Sequence, residues 1–217
     1  MKAAEVVMRV KAAIDELSDL DYPKLAESVN YENMNMVIVD KIPYALEYVI
    51  RNAPATLIDG DLVTSVSSGL DYTITGDNVF TVTLPSDVLR ITSARLSSWS
   101  VSPPVSDEHS DVARQQIYPF TCGTYDKPVT VLYSENGKQI LKFFSAKTES
   151  DTYFIAYARM PDLSKVDVWD GEAEVNIPTR LTGAFIYYIA YLTMAAFGDD
   201  RQTAMLQIAQ QQLKQEQ

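Results

Sequence analysis

The residues that could do chemistry are few and poorly spaced for it. His109 and Cys122 are the single histidine and the single cysteine of the 217 residues. His109 sits in Asp107-Glu108-His109-Ser110-Asp111. A metal centre needs several ligands converging with fixed geometry, and one imidazole among loop carboxylates does not supply that set. The expectation is a solvated loop histidine and no metal. Cys122 with His109 as its base would make a nucleophile and general-base pair, but no nucleophile signature surrounds either residue. A cysteine hydrolase is therefore the least favoured reading. Ser97-Ser98 and the serines between Ser65 and Ser68 lie in no G-x-S-x-G elbow. Asp59 with Asp61, and Asp199-Asp200, read as a turn and a helix stop rather than as an acid-base pair. The glycines form neither G-x-G-x-x-G nor G-x-x-x-x-G-K, so no phosphate cradle is encoded. These absences together predict a protein that is not an enzyme and takes no cofactor.

Charge narrows the partners. Eighteen Lys and Arg oppose 29 Asp and Glu, a formal net charge of -11 and a pI near 4.5. Such a surface repels phosphates and disfavours tight binding to DNA or RNA, although it lets DNA pass without sticking. One cysteine cannot close an internal disulfide, which suits a reducing compartment. Glu5, Arg9 and Lys11 interrupt any apolar run after Met1-Lys2, so the N-terminus does not read as a secretory signal.

The elements follow from hydrophobic period. Ala3, Val6, Val7, Val10, Ala13, Ile14 and Leu17 recur at helical spacing, closed by Ser18-Asp19 and Asp21-Tyr22-Pro23. A second helix is expected from Tyr31 to Asn52 on the stripe Met34, Val37, Ile38, Ile42, Leu46, Val49 and Ile50. Pro43 predicts a kink or break within it. From Ala55 the period becomes two. Strands are expected at Leu70 to Ile74, Val79 to Leu84 and Val88 to Trp99. Val129 to Tyr133 and Gln139 to Phe144 read as a hairpin turning at Asn136-Gly137, with Thr152 to Ala158 as the third strand of the same meander. Ser100 to Lys127 reads as an interaction loop with a short helix from Ser106 to Gln116. The hairpin aromatics could instead present a carbohydrate-binding face.

After an acidic connector, Asp167 to Glu174, carrying Trp169, the run Leu181 to Phe197 has no charged side chain and is apolar on nearly every face. Such a helix must be covered on all sides. Its 17 residues lie at the lower edge of a membrane span, and Arg180 and Asp199-Asp200 flank it. A buried or intersubunit helix is the expectation. Tyr187, Tyr188 and Tyr191 are then core or subunit contacts, since no basic residues interleave with them for base stacking. Arg201 to about Lys214 follows as a glutamine-rich helix with a narrow apolar stripe.

The fold class expected is α+β: a helical bundle built from residues 1–54 and 160–217, interrupted by an antiparallel β-module at 55–159. In this order of pieces the sequence resembles the head-tail adaptor, or connector, proteins of tailed bacteriophages of the short-tailed or crAss-like type. The resemblance rests on DKIPYALEYVIRNAPATLI, on LRITSARLSSWS, on GTYDKPVTVLYSENGKQILKFF with YFIAYARMPDL, and on LTGAFIYYIAYLTMAAFGDDRQTA with its glutamine-rich tail. It implies a structural virion protein of the neck: a cyclic ring of about twelve copies below the portal, joining capsid to tail around the DNA channel. Its partners would be the portal protein, the next tail protein and DNA that passes unbound, with assembly in the host cytoplasm. Carried over, Arg201, Met205, Ile208, Gln212, Leu213 and Lys214 would meet the portal from a separable tail. Leu181, Phe185, Tyr188 and Leu192 would pack between subunits. The alternative from another class is a β-rich carbohydrate-binding or adhesion accessory protein.

Overall fold

The computed structural model of the chain describes residues 1–16, 31–58, 62–75, 78–118, 120–146, 151–159 and 173–215. The turn at residues 18–23, the Asp59 and Asp61 pair and Trp169 with most of its acidic connector lie outside the described residues. The fold is α+β, helical in its terminal segments and β in its middle. It divides into two compact units, Met1–Leu62 with Met160–Gln217, and Val63–Arg159.

The helical unit contains α1 (Ala3–Glu16), α2 (Tyr31–Asn52), α4 (Thr182–Phe197) and α5 (Gln202–Gln215). α4 packs against α1, α2 and α5. Phe185, Ile189 and Ala190 of α4 are fully buried, as are Val6 and Val10 of α1 and Ile38, Ile42 and Leu46 of α2. α2 runs through Pro43 as one helix rather than breaking there. Ahead of α4, Lys2 and Glu174 form an antiparallel bridge. The Val175 N–H donates to the Met1 carbonyl at 2.7 Å and the Ala3 N–H to the Ala173 carbonyl at 2.8 Å. The unit extends past Pro54, because Ala55–Leu57 folds as a 3-10 turn that buries Leu57.

α5 is not a free tail. Met205 and Ala209 are fully buried and Leu213 is nearly so, at the i, i+4, i+8 spacing of one helix face. This corrects the reading of a separable segment: the narrow apolar stripe closes the core over α4. A Cβ added at Gly183 would stand 1.8 Å from Gln212 Oε1, so the Gln212 side chain lies directly over the α4 backbone there.

Among the described residues the β unit holds eight strands in two sheets. β2 (Tyr72–Thr75), β3 (Val79–Thr83), β7 (Lys138–Phe144), β6 (Val129–Glu135) and β5 (Val105–Asp107) lie in that order in one sheet. β1 (Val63–Val66), β8 (Tyr153–Arg159) and β4 (Val88–Leu96) form the other. One core joins them: Phe80, Val82, Leu141 and Phe143 from the larger sheet bury with Ala94, Leu96, Tyr153 and Ile155 from the smaller. Phe143 sits at its centre, edge-on to Phe80 at 6.1 Å and tilted against Trp99 at 5.7 Å.

Three expectations change here. β8 does not continue the β6–β7 meander; it crosses to the other sheet and pairs antiparallel with both β1 and β4. The module is not purely antiparallel, since β5 pairs parallel with β6. The stretch from Ser106 gives β5 and then a short α3 (Asp111–Gln115), whose N-cap is Ser110: its hydroxyl accepts from the Ala113 N–H at 3.2 Å. The Asn136-Gly137 turn is as expected, with φ of 52° and 74°.

Phe143→Ala should cost about 3–5 kcal/mol, because its ring fills the space between both sheets. Urea unfolding followed by tryptophan fluorescence would measure this, Trp99 being the ring beside it.

Candidate functional site

The two groups weighed for catalysis, His109 and Cys122, differ in exposure. The His109 side chain is 84% exposed, its Nε2 3.5 Å from Glu108 Oε1. Glu108 in turn accepts from the Ser134 N–H at 3.0 Å, tying the β5–α3 turn to β6. Cys122 is half-buried. Among the described residues no group of three or more His, Cys, Asp or Glu converges on a point, and no helix is long and apolar enough to cross a membrane. The hairpin aromatics offer little for a sugar: Phe143 is fully buried, Phe144 is half-buried and the Tyr133 ring is covered by the Lys142 ammonium at 4.5 Å.

Two surfaces stand out instead, one in each unit. The first is an open groove of about 440 Å³ between α2 and α4, whose lining includes Lys41, Tyr44, Tyr48, Arg51, Tyr188 and Leu192. Tyr48 and Tyr188 stack face to face, centroids 3.7 Å apart and planes 3° from parallel. Tyr191 leans on Tyr188 at 5.4 Å. Burial pushes the Tyr188 phenol above its ordinary value, and the Tyr48 and Tyr191 phenols add to the shift. It therefore stays neutral well beyond pH 7. Tyr44 is 60% exposed.

The aromatic line at Tyr188, Tyr191 and Leu192 follows from the sequence, because the i, i+3, i+4 spacing puts them on one strip of α4. Of the four residues assigned to subunit packing, Leu181 and Phe185 are buried inside their own unit, while Tyr188 and Leu192 line the groove.

The second surface is the apex of the loop after α3. Ile117 is 79% exposed, Tyr118 64% and Phe120 102%. Their backbone is nonetheless pinned. Gln116 Nε2 donates to the Val112 carbonyl and the Gly123 N–H to Gln116 Oε1, both at 2.7 Å. Thr121 Oγ1 donates to the Gln115 carbonyl at 2.8 Å and the Cys122 N–H to the Tyr118 carbonyl at 3.0 Å. The sequence reading expected an interaction loop here but did not single out its apolar apex. The signal was Ile117-Tyr118 and Phe120 standing between polar neighbours with no strand or helix period to bury them.

A third feature fixes the candidate portal-binding helix. α4 ends at Gly198 with φ of 70°, the Asp199 N–H donating back to the Met194 carbonyl at 3.0 Å. Asp199 then binds Arg201 twice, Oδ1 accepting from Nε at 3.0 Å and Oδ2 from Nη2 at 2.6 Å. Both side chains are about nine-tenths buried, at 8% and 10% exposure. The Arg201 hydrogen bonds hold the Asp199 carboxyl below the usual carboxylate range, against the opposing effect of burial. The same bonds raise Arg201, helped by Asp15 on α1. Arg201 is thus committed within the turn, as Met205 and Leu213 are within the core. Of the six residues assigned to the portal, Ile208 and Gln212 are half-buried and Lys214 is exposed.

No protein-family model matches the sequence, and no curated protein matches it significantly.

Asp199→Asn should lower stability at pH 7 by about 3 kcal/mol, because it leaves a buried guanidinium without its counter-charge. The sign with pH is fixed by the depressed Asp199 value. Its contribution is present above the unfolded carboxyl range near pH 4 and is lost as pH falls through the folded value. Urea midpoints at pH 7 and pH 3 should therefore differ more for the wild-type chain than for the variant.

Proposed function

We propose that this chain is a head-tail connector subunit of a tailed bacteriophage, forming a ring beneath the portal that joins capsid to tail around the DNA channel. The observation that carries the reading is the division of labour within the chain. Its two terminal segments build one helical body around α4 and its middle forms a separate β unit, the order of pieces on which the resemblance rests. Two further observations support it. His109 is open to solvent, and the specialised features of the described residues are surfaces suited to contact with other proteins, the exposed apolar loop apex and the aromatic groove. A net charge of -11 lets DNA slide past without being held.

In this reading the portal-facing part of α5 is its outer face, with Gln207, Gln211 and Lys214 exposed. The inner face, with Met205, Ala209 and Leu213, holds α5 on the bundle.

The test is co-sedimentation of the purified chain with portal rings from the same virus, and electron microscopy of the product. A ring stacked on the portal is the expected result. A chain that stays monomeric and ignores the portal overturns the proposal. The double variant Gln207→Glu, Lys214→Glu should weaken portal binding at unchanged thermal stability. Deleting residues 201–217 should instead unfold the helical unit, seen as loss of the cooperative melt, because the deletion uncovers α4.

A further inference from the structure

Resting on the connector reading, we propose that the loop apex formed by Ile117, Tyr118 and Phe120 of one copy seats in the aromatic groove between α2 and α4 of a second copy.

The apex is built to enter something. Exposed apolar side chains normally occur singly, whereas here three large ones crowd one turn of chain, with Phe120 wholly in water. Burying each would contribute favourably, and the hydrogen bonds of Gln116, Thr121 and Cys122 already tie together the described residues that flank the apex. Little ordering is then left for the moment of contact, which is where loops usually lose affinity.

The groove is built to receive it. Its 440 Å³ lies in the range that holds a small ligand or a few side chains, about 300–1,000 Å³. The flat Tyr48–Tyr188 stack offers a face for the Phe120 ring, and exposed Tyr44 offers a second contact at the rim.

Charge selects the occupant. The loop arms, residues 100–127, carry Asp107, Glu108, Asp111 and Asp126 against Arg114 and Lys127. The groove rim is neutral: Lys41 is paired with Asp40 at 2.7 Å and Arg51 with Glu47 at 2.9 Å. In a chain of net charge -11, a neutral aromatic patch is a place where an acidic loop meets no repulsion. An anionic lipid surface would repel both the loop and the chain behind it.

Groove and apex are different patches, so each copy donates one and accepts one. Such a heterologous contact propagates from copy to copy and gives a ring where the rotation between copies closes, as the connector reading requires.

The experiment uses two surface variants, Phe120→Asp and Tyr44→Asp, each checked for an unchanged circular dichroism spectrum and melt, and reads mass by light scattering over a concentration series. Wild-type chain should assemble, and each variant alone should self-associate at least about thirtyfold more weakly, Phe120→Asp through loss of the central anchor and Tyr44→Asp by setting a carboxylate at the rim against an acidic loop. An equimolar mixture of the two should give a dimer and nothing larger, since one apex and one groove survive in the pair. The contact is overturned if either variant assembles like wild type, if the mixture stays monomeric, or if the wild-type chain is monomeric throughout. It is equally overturned if Phe120→Asp leaves self-assembly intact while abolishing sedimentation with phosphatidylglycerol vesicles or binding to portal. Rings that persist in Phe120→Asp sink this contact alone; a chain that is monomeric but still binds portal leaves the connector reading standing.

Discussion

Covering α4 is the constraint on which the helical unit depends. With no charge between Leu181 and Phe197, the helix has no face that prefers water. α1, α2 and α5 each take a side. The strip left half-buried carries Tyr187, Tyr188 and Tyr191, side chains with an apolar ring and one polar end. Helices from both terminal segments of the chain are needed for this cover. The polypeptide accordingly leaves the bundle once, after Leu62, and the excursion folds around a core of its own. The same need explains the clasp at residues 198–201. α5 can lie back along α4 only if the chain reverses at once, and Gly198 supplies the left-handed residue while Asp199 and Arg201 hold the turn.

Much of this was written in local pattern. α1, α2 and α4 were legible because apolar residues at three- and four-residue spacing encode a helix whatever it later packs against. The Asn136-Gly137 turn was legible because both positions require positive φ. Pairing was not. Whether Tyr153–Arg159 joins β7 or β4 depends on residues far apart in sequence: its Ile155 and Tyr157 match Ala94 and Ile91 across the smaller sheet. The parallel β5–β6 pair is equally non-local, and its three-residue strand is too short for a period to show. Pro43 does not break α2, because the helix is held on α4 along much of its length by burial at Ile42, Leu46, Val49 and Ile50, beside which the local cost of a helical proline is small.

The burial of the candidate site residues was not legible in the resemblance that supplied them, and α5 shows why. Arg201, Met205, Ile208, Gln212, Leu213 and Lys214 were carried over together as a portal-directed tail. Helical geometry sorts them otherwise: Met205 and Leu213 face inward, Gln212 lies over the gap left by Gly183, and Arg201 is spent on Asp199. A stripe of only three or four apolar residues reads as weak amphipathicity, yet it suffices when the surface it meets is as apolar as α4.

Net charge and local surface then act at different ranges. At long range, copies of a chain carrying -11 repel one another and repel other polyanions alike. That repulsion is screened over about 8–10 Å of saline, so whatever brings acidic proteins together must work at contact and without charge. Both candidate surfaces meet that condition. The groove cancels its cations with Asp40 and Glu47 on its own helix, and at the loop apex the apolar Phe120 ring itself stands in solvent. An acidic protein built this way can stay soluble as single chains and still present apolar surfaces complementary enough to bind once they are brought within reach.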